Sequence, residues 1–243
     1  MNAFAKTILA TLLLAVGAAT VAQEAVIRKN LAQRIPQLKK IDEVRMSPIA
    51  GLYEIRVDGT EIFYTDAKGD FLIDGKLIDT KLGRNLTDER MDKLTAINFD
   101  ALPLKDAFTI VRGNGKRKLA VFEDPNCGYC KRFETDLQKV DNITIHMFLY
   151  PILGADSVEK SKNIWCAKDK AKAWLDWMVR DLPPGSPNAA SGCDAAAVAR
   201  NIEVGRKHRI TGTPTLIFAD GARVPGAVSA AQVEEMLAKV KTP

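Results

Sequence analysis

Leu119-Ala120-Val121-Phe122-Glu123-Asp124-Pro125-Asn126-Cys127-Gly128-Tyr129-Cys130 opens as an apolar run and closes on two cysteines separated by two residues. Leu119 to Phe122 has strand character, and beyond the cysteines Phe133, Leu137 and Val140 recur at helical spacing. The CxxC thus stands where a strand hands over to a helix, the setting in which such a pair works as a redox couple. Cys127 falls at the helix N-terminus, where unpaired backbone N–H groups and the positive dipole end favour thiolate over thiol. Cys130 lies three residues before Phe133 and seven before Leu137, on the side that turns inward. Cys127 is therefore expected to be the exposed nucleophile and Cys130 the sheltered resolving thiol. The competing readings are a structural CxxC bridge and a zinc half-site. Zinc would need Cys166, Cys193, His146 or His208 as further ligands, and the two later cysteines are not spaced as a second knuckle. No metal or other cofactor is expected.

Outward from this segment, strands alternate with helices, which points to an α/β domain over 105–243. Phe108 to Val111 faces Leu119 to Phe122 across Asn114-Gly115, a two-residue hairpin signal, with Lys116-Arg117-Lys118 as its solvated edge. Ile143 to Leu149 reads as a buried strand, residues 157–181 are helical in period through Trp165, Trp174 and Trp177, and Leu182 to Gly192 is a loop. Residues 194–208 are helical, Thr215 to Phe218 is a strand, Asp220-Gly221 turns, and a last helix starts at Ser229 with Gln232 completing a capping box. Thr213-Pro214 precedes the 215–218 strand. A cis bond there would leave the Thr213 backbone free to pair with an extended peptide, whereas a trans proline at a strand start is the commoner arrangement.

Before residue 86 the character changes. Ile27, Leu31 and Ile35 mark an amphipathic helix from Gln23 that Pro36 stops. Tyr53, Ile55 and Val57 alternate with polar residues, Asp58-Gly59 turns, Ile62 and Tyr64 continue on the return strand, and Asp66 to Asp70 turns again before Phe71-Leu72-Ile73. Residues 23–84 thus form a small helix-plus-antiparallel-meander domain. A unit of that size buries little surface and carries open strand edges, so self-association is expected. Thr87, Asp88 and Glu89 begin a helix with the thin apolar stripe Met91, Leu94 and Ile97, and residues 85–104 read as a partly helical linker closed by Pro103.

Residues 1–22 carry Lys6, an apolar stretch from Ile8 to Val16 and small residues up to Ala22, the pattern of a cleaved export signal. A membrane anchor is the competing reading, but Thr7 to Ala22 as a helix rises only about 24 Å against a hydrocarbon core of about 30 Å. Cleavage after Ala22 would take the net charge from +5 to +4. Of the 243 residues, 47% are hydrophobic and 27% charged, which excludes disordered, collagenous and multi-span membrane proteins. The basic residues are dispersed, so no nucleic-acid partner is expected. Export to an oxidising space lets disulfides persist. The four cysteines allow three pairings, and all lie in the second half of the chain.

Taken together, the signal, the small first domain, the linker, the CGYC opening a helix, Trp165-Cys166-Ala167-Lys168-Asp169-Lys170 and Gly212-Thr213-Pro214 resemble the bacterial periplasmic disulfide isomerase family, DsbC. The resemblance spans nearly the whole mature chain, and its motifs are most specific from 119 to 226. It implies an α+β two-domain protein. A dimerisation domain and linker helix precede a thioredoxin-like α/β domain with a helical insertion at about 156–193. It implies a homodimer whose cleft holds misfolded or misoxidised exported proteins, with isomerase and chaperone activity. It further implies catalytic roles for Cys127 and Cys130, redox tuning by Gly128 and Tyr129, substrate binding at a cis Thr213-Pro214 turn, and a structural disulfide between Cys166 and Cys193. Closing that loop would contribute about 3–4 kcal/mol in the chain-entropy model. An inner-membrane reductant of the DsbD type would keep the CxxC reduced. The buried acid that thioredoxins carry six residues before the first cysteine is Val121 here, so Cys130 needs another proton route. Glu123 and Asp124 are the nearby carboxylates, although charged residues at a strand end are mostly solvated. An oxidase or reductase of the same fold, and a non-redox binding protein, are the competing functions.

Overall fold

The computed structural model describes residues 22–38, 40–185 and 192–240; the expected export signal, save Ala22, lies outside the described residues. The chain divides into two compact units, one ending at Leu94 and one starting at Thr95.

In the first unit a helix over 22–34 (α1) lays Ile27 and Leu31, four residues apart, on a meander. The meander runs β1 (Ile41–Met46), β2 (Leu52–Val57), β3 (Glu61–Asp66) and β4 (Leu72–Ile73), in sequence order across the sheet. Ile55 and Val57 meet the helix from the sheet side. Burying each such side chain contributes about 1.5–3 kcal/mol. Asp58 and Gly59 both take positive φ and close β2 onto β3, as the sequence pattern predicts. Ile62 and Tyr64 pair with Arg56 and Glu54, so they face away from Ile55 and Val57 and the meander buries side chains on both faces. A two-residue ribbon, β5 (Ile78–Asp79) with β6 (Arg84–Asn85), leads into α2 (Leu86–Thr95). From α2 Arg90 reaches Glu43 at 2.7 Å and the buried Glu54 at 3.2 Å, and Thr87 bonds the Tyr64 hydroxyl.

The second unit is a five-stranded sheet in the order β11-β10-β8-β9-β7. Its strands are β7 (Phe108–Arg112), β8 (Arg117–Glu123), β9 (Ile143–Leu149), β10 (Thr215–Phe218) and β11 (Arg223–Pro225). Helix α3 (Gly128–Leu137) carries the chain from β8 to β9, which run parallel; the other pairings are antiparallel. The remaining helices are α4 (Ala155–Trp165), α5 (Lys170–Arg180), α6 (Ala196–Lys207) and α7 (Ala230–Lys239), the last opened by the Ser229–Gln232 capping box. Strand alternation sends Leu119 and Val121 to one face, packed with Phe133, Leu137 and Trp174, and Ala120 and Phe122 to the other, packed with Phe99, Phe148 and Ile217.

Three expectations change. Phe108 to Val111 and Leu119 to Phe122 are not hairpin partners: β9 lies between their strands, and Asn142 ties the 113–115 turn through an Asn114 N–H at 3.1 Å. Arg117 is accordingly not a solvated edge; it pairs with Glu234 of α7. The helical period of 157–181 hides a break, because Asp169 caps a new helix by accepting the Lys172 N–H. Residues 85–104 also divide, with α2 through Leu94 in the first unit and Ile97, Phe99 and Leu102 buried in the core of the second.

Candidate active site

β8, flanked on both sides by strands, delivers Glu123 and Asp124 to the end of the sheet, and both carboxylates are fully buried there. Asp124 is saturated: Oδ1 accepts the Asn126 N–H at 2.8 Å, and Oδ2 accepts those of Ile152 at 2.7 Å and Leu153 at 2.9 Å. These bonds shape the loop that leads to Cys127, which is the N-cap of α3 in extended backbone, its Sγ accepting the Cys130 N–H at 3.3 Å.

The antiparallel register of β10 with β8, Thr215 opposite Phe122, brings the preceding turn over the CxxC. Thr213–Pro214 is cis, and the Cys127 thiol lies 3.4 Å from the Thr213 carbonyl oxygen. This turn corrects the expectation of an exposed nucleophile, since Cys127 is only 6% exposed while Cys130 is at 0%. The ranking of the two sulfurs is as expected and the absolute exposure is not. Gly128 has open space around it, since a Cβ there would meet nothing within 4 Å, and Tyr129 is 63% exposed with the Arg132 guanidinium 4.5 Å above its ring.

The Cys130 thiol beside Cys127, together with the N–H groups of Cys130 and Tyr129, holds Cys127 down to about 6 against the opposing effect of burial. Burial pushes Cys130 well above the ordinary thiol range. The two sulfurs are thereby assigned opposite protonation states at neutral pH. Trp177 braces the site from α5: its indole N–H donates to the Pro125 carbonyl at 2.6 Å, and the Lys131 and Lys160 ammoniums lie 3.8 and 5.0 Å from its ring centroid.

Sequence reasoning missed Glu134 and misplaced Glu123. Glu134 follows Cys130 by one helical turn, is fully buried, and accepts the Trp174 indole N–H at 3.0 Å. Its other oxygen and both oxygens of Glu123 take no hydrogen bond from any other residue, which leaves the two carboxyls bonded to each other. Burial raises both carboxyls, and each acts on the other. The available signal was spacing: Cys130, Glu134 and Leu137 share the inward face of α3. Cys166 and Cys193 are brought together elsewhere as a disulfide with Cα atoms 5.6 Å apart, so neither belongs to the CxxC site.

A thioredoxin-like domain model matches residues 104–241, and the model of the disulfide bond isomerase protein N-terminal domain matches residues 18–88. A probable thiol:disulfide interchange protein DsbC of Bordetella parapertussis is 44% identical over 211 residues, covering 87% of this chain and 73% of the relative. The chain belongs to the DsbC family. The DsbC of Escherichia coli K12 is 29% identical over 233 residues, covering 93% of this chain and 92% of that one. Among solved structures, a disulfide interchange protein from Neisseria gonorrhoeae superposes with a TM-score of 0.51 at 40% identity, over 57% of this chain and 97% of that chain. As a DsbC-family member the protein is a thiol:disulfide oxidoreductase/isomerase of α+β architecture with a thioredoxin-like domain. No helix among the described residues is long and apolar enough to cross a membrane.

Proposed function

We propose that this chain acts in the periplasm as a homodimeric isomerase that rearranges wrong disulfides in exported proteins, with Cys127 as nucleophile and Cys130 as resolving thiol. The observation that carries this reading is the pairing of a Cys127 held at about 6 under the Thr213 carbonyl with a Cys130 sealed in the core. The Cys127 thiolate attacks one sulfur of a wrong disulfide, forming a mixed disulfide and releasing the other sulfur as a thiolate. That thiolate either attacks elsewhere in the substrate or returns to Cys127 and frees the enzyme, so isomerisation leaves the net thiol count unchanged. If the substrate stalls, Cys130 attacks Cys127, and the substrate leaves reduced by two electrons. An inner-membrane reductant of the DsbD type restores the dithiol.

The Thr213 backbone beside cis-Pro214 offers an extended peptide a place to pair, and the open space at Gly128 lets it approach. Tyr129 within the CxxC, and Ile152 and Leu153 held by their N–H groups to Asp124 of the same loop, are exposed and suit an unfolded chain, the basis of a chaperone activity. Pairing of protomers is supported by the outer edge of β1, the end strand of the meander, and by exposed Met46, Phe71 and Leu82 in the same unit. Residues 1–22 provide the route of export.

The test is recovery of a substrate with scrambled disulfides by the wild type, Cys127→Ser and Cys130→Ser, with free thiols counted throughout. Native substrate is expected from the wild type with little net thiol change, and none from Cys127→Ser. Rapid oxidation of a reduced substrate with no rescue of a scrambled one would make the protein an oxidase, and activity surviving in Cys127→Ser would make the CxxC structural.

A further inference from the structure

Cys130 presents a problem of proton transfer. It is fully buried, so the proton it must lose before attacking Cys127 has no direct path to water. We propose that the buried carboxyl pair Glu123–Glu134 is the proton acceptor of Cys130 in the resolving step, a reading that rests on the role of Cys130 proposed above. Strand alternation turns Glu123 to the same face as Leu119 and Val121, the face covered by α3, and Glu134 comes to it from one turn beyond Cys130. Both carboxyls are fully buried, and three of their four oxygens take no hydrogen bond from any other residue, so the two carboxyls bond each other. Carboxylates that serve structure are normally saturated with donors, as Asp124 is in this same loop. A buried pair of carboxyls that bond chiefly each other is instead a store for a proton, because two adjacent carboxyls in a dry site do not both ionise.

The surrounding groups give the pair a direction. Arg112 of β7 and the Trp174 N–H of α5 favour negative charge on Glu134, while the charges of Glu123, Cys127 and Cys130 oppose one another. Asp141 acts on Arg112, and the Arg112 guanidinium also donates to the Leu137 carbonyl. The cations nearest the CxxC are turned elsewhere: Lys131 to Trp177 and Asp181, Arg132 to Tyr129. In the step itself the Cys130 proton enters at Glu123, whose own proton passes to Glu134. The Cys130 sulfur then bonds to the Cys127 sulfur, the bond from Cys127 to the substrate sulfur breaks, and the substrate sulfur leaves with the electron pair and takes a proton from water. Two electrons have passed from the enzyme dithiol to the substrate. The pair returns its proton to Cys130 when the reductant reopens the Cys127–Cys130 bond.

An aryl disulfide separates the two sulfurs in one stopped-flow experiment on the reduced mature protein. The first aryl thiolate released reports attack by Cys127, and the second reports attack by Cys130. Glu123→Gln is expected to slow the second phase at pH 7 by about a hundredfold or more, the order of a lost general base, and to leave the first phase largely unchanged. The second phase of the variant should then climb steeply with pH as hydroxide replaces the carboxyl, whereas the wild-type phase stays shallow. Glu123→Asp, which restores a carboxyl, should flatten the profile again. Glu134→Gln repeats the test from the other helix if Glu123→Gln does not fold. A second phase unchanged, accelerated, or slowed equally at every pH overturns the relay. Cys130→Ser identifies the other failure: if it retains the second phase, the resolving role itself is wrong.

Discussion

At Cys127 one backbone position does two jobs. As N-cap it lends its sulfur to the Cys130 N–H, and as the proposed nucleophile it needs the same sulfur ionised, so the capping bond and the reactive state stabilise each other. With Cys127 at about 6, roughly nine in ten molecules carry the thiolate at pH 7. Alkylation of Cys127 by iodoacetamide should therefore titrate with a midpoint near 6. In Cys130→Ala, which removes the first contributor to that lowering, the midpoint should move up; a midpoint that stays put would assign the effect to Thr213 and the backbone N–H groups. The place of Cys127 at the helix start was legible because such a start can be read locally. Its cover was not, because Thr213 lies 86 residues away in sequence. The burial of Glu123 was illegible for a related reason: the end of β8 looks like any solvated strand end until β9 and β10 flank it and α3 closes over it.

Among the elements, α6 shows how packing overrides propensity. Gly205 costs that helix about 1 kcal/mol relative to alanine, yet a Cβ there would stand 2.2 Å from the Tyr150 ring. Tyr150 has no room to retreat, since it is buried and its hydroxyl donates to the Ile210 carbonyl at 2.8 Å. Gly205→Ala should therefore lower stability by about 1–3 kcal/mol in urea unfolding despite its better helix propensity; a stabilised variant would show that the ring can move aside. The same conflict between local and tertiary signals explains the misread elements. Asn114-Gly115 does form a turn, but a turn signal cannot show that β9 will slide between the strands it joins. The three tryptophans keep helical period across Cys166–Asp169, and only the Asp169 cap reveals the break. By contrast the Ser229–Gln232 box and the Asp58-Gly59 turn were legible because each is complete within four residues.

For the molecule as a whole, the first unit supplies a small core around Ile27, Leu31, Ile55 and Val57, a size at which association with a second copy adds needed burial. Sedimentation of the mature protein at micromolar concentration should give a species of twice the chain mass. A single-chain species under those conditions would remove the homodimer from the proposed function. The two-unit organisation was legible from the shift in sequence character near residue 86, while the boundary after Leu94 was not, because Met91, Leu94 and Ile97 form one stripe in sequence and of these three only Ile97 enters the core of the second unit. One further consequence follows from where the sulfur lies. Every cysteine belongs to the unit that starts at Thr95, and none precedes it. The first unit thus needs no oxidant to reach its fold. The Cys166–Cys193 bond closes wholly within the second unit, so the fold of the first, and any pairing made through it, is insulated from the redox state of the chain's own sulfur.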